Sequence, residues 1–145
     1  MTKINVDATL SNNSCIAMVA AIARDEAGIF LGASAIMMEG VSDLETAEAL
    51  ACREGLALSS DLMLQKVRIA TDCTNIVKNM HGPRMSPYGH IIREIKSGMA
   101  SFALVEVVYE SRNSNGDAHR LAKSSIYESA CLADFFSKWS LYRLL

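Results

Sequence analysis

A chain of 145 residues that is 50% hydrophobic and 21% charged, with 8 Gly and 2 Pro, has apolar material for one core and too little length for two ordinary ones. Its formal charge of −2 excludes a global basic field, so any affinity for nucleic acid must come from a local patch. No run of about 18 uninterrupted apolar residues occurs, which excludes a membrane-spanning helix, and Cys15, Cys52, Cys73 and Cys131 form no C-x-x-C pair, which argues against a zinc site or disulfide framework and for reduced thiols inside a cell.

From the N-terminus, "KINVDA" alternates like a strand and lacks the apolar stretch of a signal peptide. "IAMVAAIARD" is a longer apolar run, and "GIFLGASAIMME" follows the turn signal Asp25-Glu26-Ala27-Gly28. Three strands on short turns predict an antiparallel meander. The period then changes: Leu44, Ala47, Leu50, Ala51, Leu58 and Leu62 recur at helical spacing, giving a helix from about Asp43 to Ser60 with Ser42 or Asp43 as N-cap. "KVRIATD" is a fourth strand, either parallel to its predecessor or on the far side of the sheet. "TNIVKNMH" is a short helix ended by Gly82-Pro83, and "YGHIIREIKSGM" is another, with Ile91, Ile92 and Ile95 on one face.

"ALVEVVYES" is a fifth strand, and "NSNGDAHRLAKSSIYES" carries Ala118, Leu121 and Ala122 at helical spacing from a start near Asn115. In the tail, "LADFFSKWSLYRLL" would line one side of a helix over about 131–145 with Leu132, Phe135, Phe136, Trp139 and Tyr142. The order βββαβα(α)βα predicts a single α/β domain over 1–145, a five-stranded mixed sheet with flanking helices.

In this layout Asp7 falls near the end of the first strand, Glu48 one turn into the first long helix, and Asp72 at the end of the fourth strand. If those strands are neighbours and the helix packs over them, the three carboxylates converge. Convergent carboxylates repel one another, and they make chemical sense around hard cations that take oxygen ligands.

The pieces "VDATL", "AEALACREGL", "RIATDCTNIVKNM" and "SRNSNGDAHRLAK", in that order and spacing, resemble the ribonuclease H-like domains of plants and retroelement polyproteins from Lys3 to Lys123. The resemblance implies a ribonuclease H-like fold and a metal-dependent endonuclease that cleaves the RNA strand of RNA–DNA hybrids. It places Mg2+ or Mn2+ on Asp7, Glu48 and Asp72, with His119 as a further catalytic position. A two-cation centre activates a water and stabilises the leaving oxygen of an in-line displacement, while RNA would be told from DNA by contacts to 2′-hydroxyls across a shallow minor groove.

The chain departs from the family pattern R-x-x-N-x-x-A-D-x-L-A at one place. Arg112, Asn115, Ala118, Leu121 and Ala122 match, while His119 takes the Asp position. Imidazole suits softer ions than magnesium, so the exchange should weaken one metal site and favour manganese. Asp117 lies about 200° around an ideal helix from His119 and could replace it only if the helix began after it. The first hairpin, "SNNSCIAMVAAI", lacks glycines that would let backbone approach a substrate, and no basic aromatic-rich insertion is present, only scattered Lys78, Arg84 and Arg93.

The alternative is therefore a catalytically weak or inactive module of the same fold that binds protein or nucleic acid, with self-association through Phe135, Phe136 and Trp139 as one form of it. Glu45 and Glu54 read as solvated helix positions, His81 and His90 as loop and helix-surface residues. A loop anchor and an N-cap explain Arg112 and Asn115 as well as any site role does.

Overall fold

The computed structural model describes residues 1–11, 15–82, 86–127 and 143–144, with side chains as far as 123 in the last helix. Strands β1 (Thr2–Leu10), β2 (Ile16–Arg24) and β3 (Phe30–Glu39) form the expected antiparallel meander. The turn between β2 and β3 is built as its residues suggest. Asp25 Oδ1 accepts from the Ala27 and Ile29 backbone N–H groups at 2.9 Å, and Gly28 takes φ +81°, open to glycine at no steric cost.

Helix α1 (Leu44–Asp61) starts where Asp43 accepts from the Thr46 N–H at 3.1 Å, so Asp43 is the N-cap. The chain then crosses the sheet. Strand β4 (Lys66–Thr71) lies beside β1, on the far side from β3, and runs parallel to it with Asn5 opposite Ala70. Helices α2 (Thr74–His81) and α3 (Gly89–Met99) lead to β5 (Leu104–Tyr109), parallel to β4. A 3-10 turn at Arg112–Asn115 runs straight into α4 (Gly116–Tyr127).

A two-residue strand, β6 (Arg143–Leu144), pairs with β3 and makes the order β5-β4-β1-β2-β3-β6. These two residues are strand and not part of the expected tail helix. The rest of that helix, with Phe135, Phe136 and Trp139, lies outside the described residues. No helix among the described residues is long and apolar enough to cross a membrane.

The two faces of the sheet are unequal. Ile4, Val6 and Ile69 face α1, where Gly55 lets the helix backbone approach so closely that a Cβ there would fall 2.7 Å from Val6 Cγ1. A cluster centred on these residues, Leu58, Ile76 and Ile95 forms the main core, and each such side chain withdrawn from water contributes about 1.5–3 kcal/mol. On the other face α4 sets Leu121 and Ala122 against Ala20, Ile22, Ala33 and Ala35. Covered on both sides, β1 and β2 are buried along most of their lengths, which is why apolar runs replace alternation in "IAMVAAIA".

Candidate metal centre

Strand β1 outlasts its parallel partner. β4 ends at Thr71 while β1 continues to Leu10, and the shared register carried two residues past Asn5 and Ala70 brings Asp7 beside Asp72. Asp7 therefore sits three residues inside β1 and not near its end, and Asp72 is the first residue after β4. Glu48, in the second turn of α1, reaches the same point. One carboxylate oxygen from each of the three lies within 4.8 Å of the others.

The cost of this arrangement is electrostatic. Asp7 and Glu48 are buried at 1% and 5% exposure. Desolvation, with the neighbouring Asp72 charge, pushes the Asp7 carboxyl above its usual range. Desolvation and the charges of Asp7 and Asp72 push Glu48 up to about 9. The Ala8 backbone N–H opposes the shift at both and does not cancel it. Glu48 Oε2 is buried with no hydrogen-bond partner. A buried carboxylate oxygen left unpaired costs free energy unless something positive meets it. Three converging oxygen donors, one of them orphaned, fit a hard divalent cation.

His119, on the first turns of α4, is brought to the same place. Its Nδ1 lies 2.7 Å from Asp7 Oδ2, so the imidazole is tied to one of the carboxylates. Asp117 points away, pairing with Arg24 at 2.5 Å and with Arg120, as its angular offset from His119 requires. Arg112 Nε stands 3.5 Å from Asp72 Oδ2.

Two readings change with the structure. Asn115 caps no helix: it is 1% exposed, donates from Nδ2 to the Val6 carbonyl at 2.6 Å and accepts from Asn5 Nδ2 at 3.0 Å, fastening the start of α4 to β1 one residue from Asp7. Glu54 is buried and Glu45 only partly exposed, so neither is a freely solvated helix position. The buried Tyr88 hydroxyl donates to Glu45 while accepting from Asn79 Nδ2 at 2.7 Å, and Glu54, 4% exposed, accepts from Ser34 Oγ at 3.0 Å. His81 closes α2 and, like His90, is exposed and outside the cluster. Period-two spacing held the missed signal for Asn5, which shares a strand face with Asp7, and Asn115 lies one helical turn before His119.

A family model described as reverse transcriptase-like matches residues 5–125. No curated protein sequence matches the chain. Among solved structures, RNase H1 from the halophilic archaeon Halobacterium salinarum NRC-1 superposes with a TM-score of 0.81 at 15% identity, covering 88% of this chain and 98% of that one. The N-terminal RNase H domain of a Mycobacterium tuberculosis protein gives 0.79 at 19% identity, covering 91% and 97%. LC11-RNase H1, solved in complex with an RNA/DNA hybrid, gives 0.78 at 20% identity, covering 90% and 99%. The fold is thus that of ribonuclease H, a mixed sheet with flanking helices.

Proposed function

The chain belongs to the reverse transcriptase-like family, and from that premise we propose that it is a metal-dependent endonuclease cleaving the RNA strand of RNA–DNA hybrids, with Asp7, Glu48 and Asp72 holding Mg2+ or Mn2+. The observation that carries the reading is the convergence of three carboxylate oxygens within 4.8 Å around a buried, unpartnered Glu48 oxygen. A divalent pair bound there supplies a water activated for attack and charge to stabilise the departing oxygen.

The chain's own groups do the rest. β1 and β4 hold Asp7 and Asp72 side by side through their register, and α1 presents Glu48 from a helix locked against the sheet at Gly55. The proton that Glu48 holds at neutral pH in the cation-free protein would compete with a cation for the same oxygens. His119 orients Asp7 through Nδ1. The hybrid seen with LC11-RNase H1 is the substrate class of this reading, on which the chain acts as a single domain inside the cell.

A second reading, a catalytically weak or inactive module that binds nucleic acid, is favoured by one observation, the imidazole of His119 on Asp7. The two are separated by titrating Mg2+ and Mn2+ calorimetrically into the wild type and Asp72→Asn, followed by cleavage of a labelled hybrid. The nuclease reading expects binding that Asp72→Asn abolishes and cutting that Asp7→Asn reduces at least about 100-fold. An intact hybrid under conditions where a ribonuclease H control cuts it would leave only the second reading.

A further inference from the structure

From the carboxylate cluster a groove of about 560 Å3 runs outward between the start of α1, the start of α2 and the end of β5. Glu48 and Asp72 form its inner end, and Asp43, Asn75, Tyr109 and Arg112 line its outer part. Among the described residues lining it, Arg112 is the single cation. Two of the groove's four acids are committed elsewhere: Asp43 caps α1 and Glu45 receives the Tyr88 hydroxyl. A phosphate strand entering this groove would meet one cation, Arg112, among four carboxylates and four uncharged residues.

The restraint on Arg112 is weak. Its side chain is 72% exposed, and its one recorded contact, to Asp72, is 3.5 Å long, well beyond the roughly 2.7–2.9 Å of a strong charge-assisted hydrogen bond. The guanidinium therefore keeps most of its donors open to the groove, in a fork that matches phosphate oxygens. Tyr109, the last residue of β5, is 53% exposed beside it. An aromatic ring left half in water at a groove wall gives a base or sugar a stacking surface. At that exposure, burial in a core does not account for the ring.

We propose that Arg112 and Tyr109 form a strand-positioning pair at the groove's outer end, Arg112 binding a phosphate of the nucleic acid next to the cleaved linkage and Tyr109 stacking on that nucleotide. The proposal rests on the nuclease reading above and names the side of the site from which the strand is held. Arg112 leans on Asp72 when no strand is present and exchanges that long contact for a phosphate when one arrives. The pair positions the substrate; it does not ligate the cation.

The test compares the wild type with Arg112→Ala, Arg112→Lys, Tyr109→Ala and Tyr109→Phe. Fluorescence anisotropy with a labelled RNA–DNA hybrid in EDTA reads binding across a series of NaCl concentrations, cleavage in Mn2+ gives KM and kcat, and calorimetry gives Mn2+ affinity. Arg112→Ala is expected to weaken hybrid binding about tenfold and to reduce the slope of log K against log salt by about one. Arg112→Lys should restore the slope and only part of the affinity. Tyr109→Ala is expected to lose about tenfold in affinity with the salt slope unchanged, and Tyr109→Phe to keep it. In each case KM rises more than kcat falls, while Tm stays at the wild-type value and Mn2+ affinity does not fall. A wild type that binds and cuts the hybrid beside an Arg112→Ala variant with the same affinity and slope overturns the proposal and spares the nuclease reading. A wild type that neither binds nor cuts the hybrid overturns both.

Discussion

The 2.7 Å contact between His119 Nδ1 and Asp7 Oδ2 makes the imidazole a partner of the carboxylate cluster as well as its neighbour. One nitrogen there, in place of oxygen, bears on which ion the site prefers, since magnesium takes oxygen donors and imidazole suits softer ions. His119→Asp should therefore raise Mg2+ affinity about tenfold relative to Mn2+, read by paired calorimetric titrations. The same change puts a fourth carboxylate among three that already repel, so Tm in EDTA should fall by about 2–4 °C. An unchanged Mg2+ to Mn2+ ratio would place the ring beyond reach of the ion. At this scale the sequence was legible where one residue type admits one chemistry. Asp7, Glu48 and Asp72 could be picked out because their strand, helix and strand positions converge in the expected layout and because they fall on the motif positions of the resemblance, which is what separated Glu48 from Glu45 and Glu54. Asn115 and Glu54 could not, because their roles depend on what packs against them: an amide bridging to Val6 and Asn5, and a buried acid met by Ser34.

Between elements, the decisive contact is α1 on β1. A Cβ at Gly55 would meet Val6 Cγ1 at 2.7 Å and Ile4 Cγ2 at 3.3 Å, and β-branched side chains in a packed core have little room to turn aside. Gly55→Ala should cost about 1–3 kcal/mol despite alanine's better helix propensity, lowering Tm by about 3–9 °C. Since Val6 adjoins Asp7 and Glu48 rides on the displaced helix, Mn2+ affinity should fall with it. Gly98→Ala in α3 is the control. Its Cβ would meet only Leu56 Cδ2, the tip of a flexible side chain, at 3.0 Å, so thermal denaturation should find it within about 1 °C of wild type. A Gly55→Ala variant as stable as Gly98→Ala would mean that the approach of α1 to the sheet does not restrict the residue at 55. Spacing in the sequence located the five long strands and four helices of the described residues, because alternation, helical periodicity and turn residues are local signals. It could not supply the two-residue β6, whose pairing with β3 is a contact between distant parts of the chain.

For the whole molecule, the carboxylate cluster opposes the fold that builds it. Glu48 moves from an ordinary value near 4.5 to about 9 on folding, so between those pH values the folded chain holds a proton that the unfolded chain has released. The stability linked to that proton is fully present below about 4.5 and is lost steadily as pH rises toward 9, at no more than about 1.4 kcal/mol per pH unit. Asp7, also shifted upward, adds the same sign. Glu48→Gln removes the proton requirement while keeping the shape, so in EDTA it should be more stable than wild type by about 1–2 kcal/mol at pH 7, a Tm gain of about 3–6 °C, and the gap should widen from pH 5.5 to 8.5. Relaxation of the site and entry of water recover the rest of the penalty. With saturating Mn2+ the order reverses. Cations compete with protons for the same oxygens, so metal stabilisation of the wild type grows with pH, while Glu48→Gln, lacking a donor, gains little. Melting curves of both proteins over that pH range, with EDTA and with Mn2+, test the sign directly. A wild type whose metal-free stability rises with pH alongside that of Glu48→Gln would mean that Glu48 is already ionised and its charge already met by the protein.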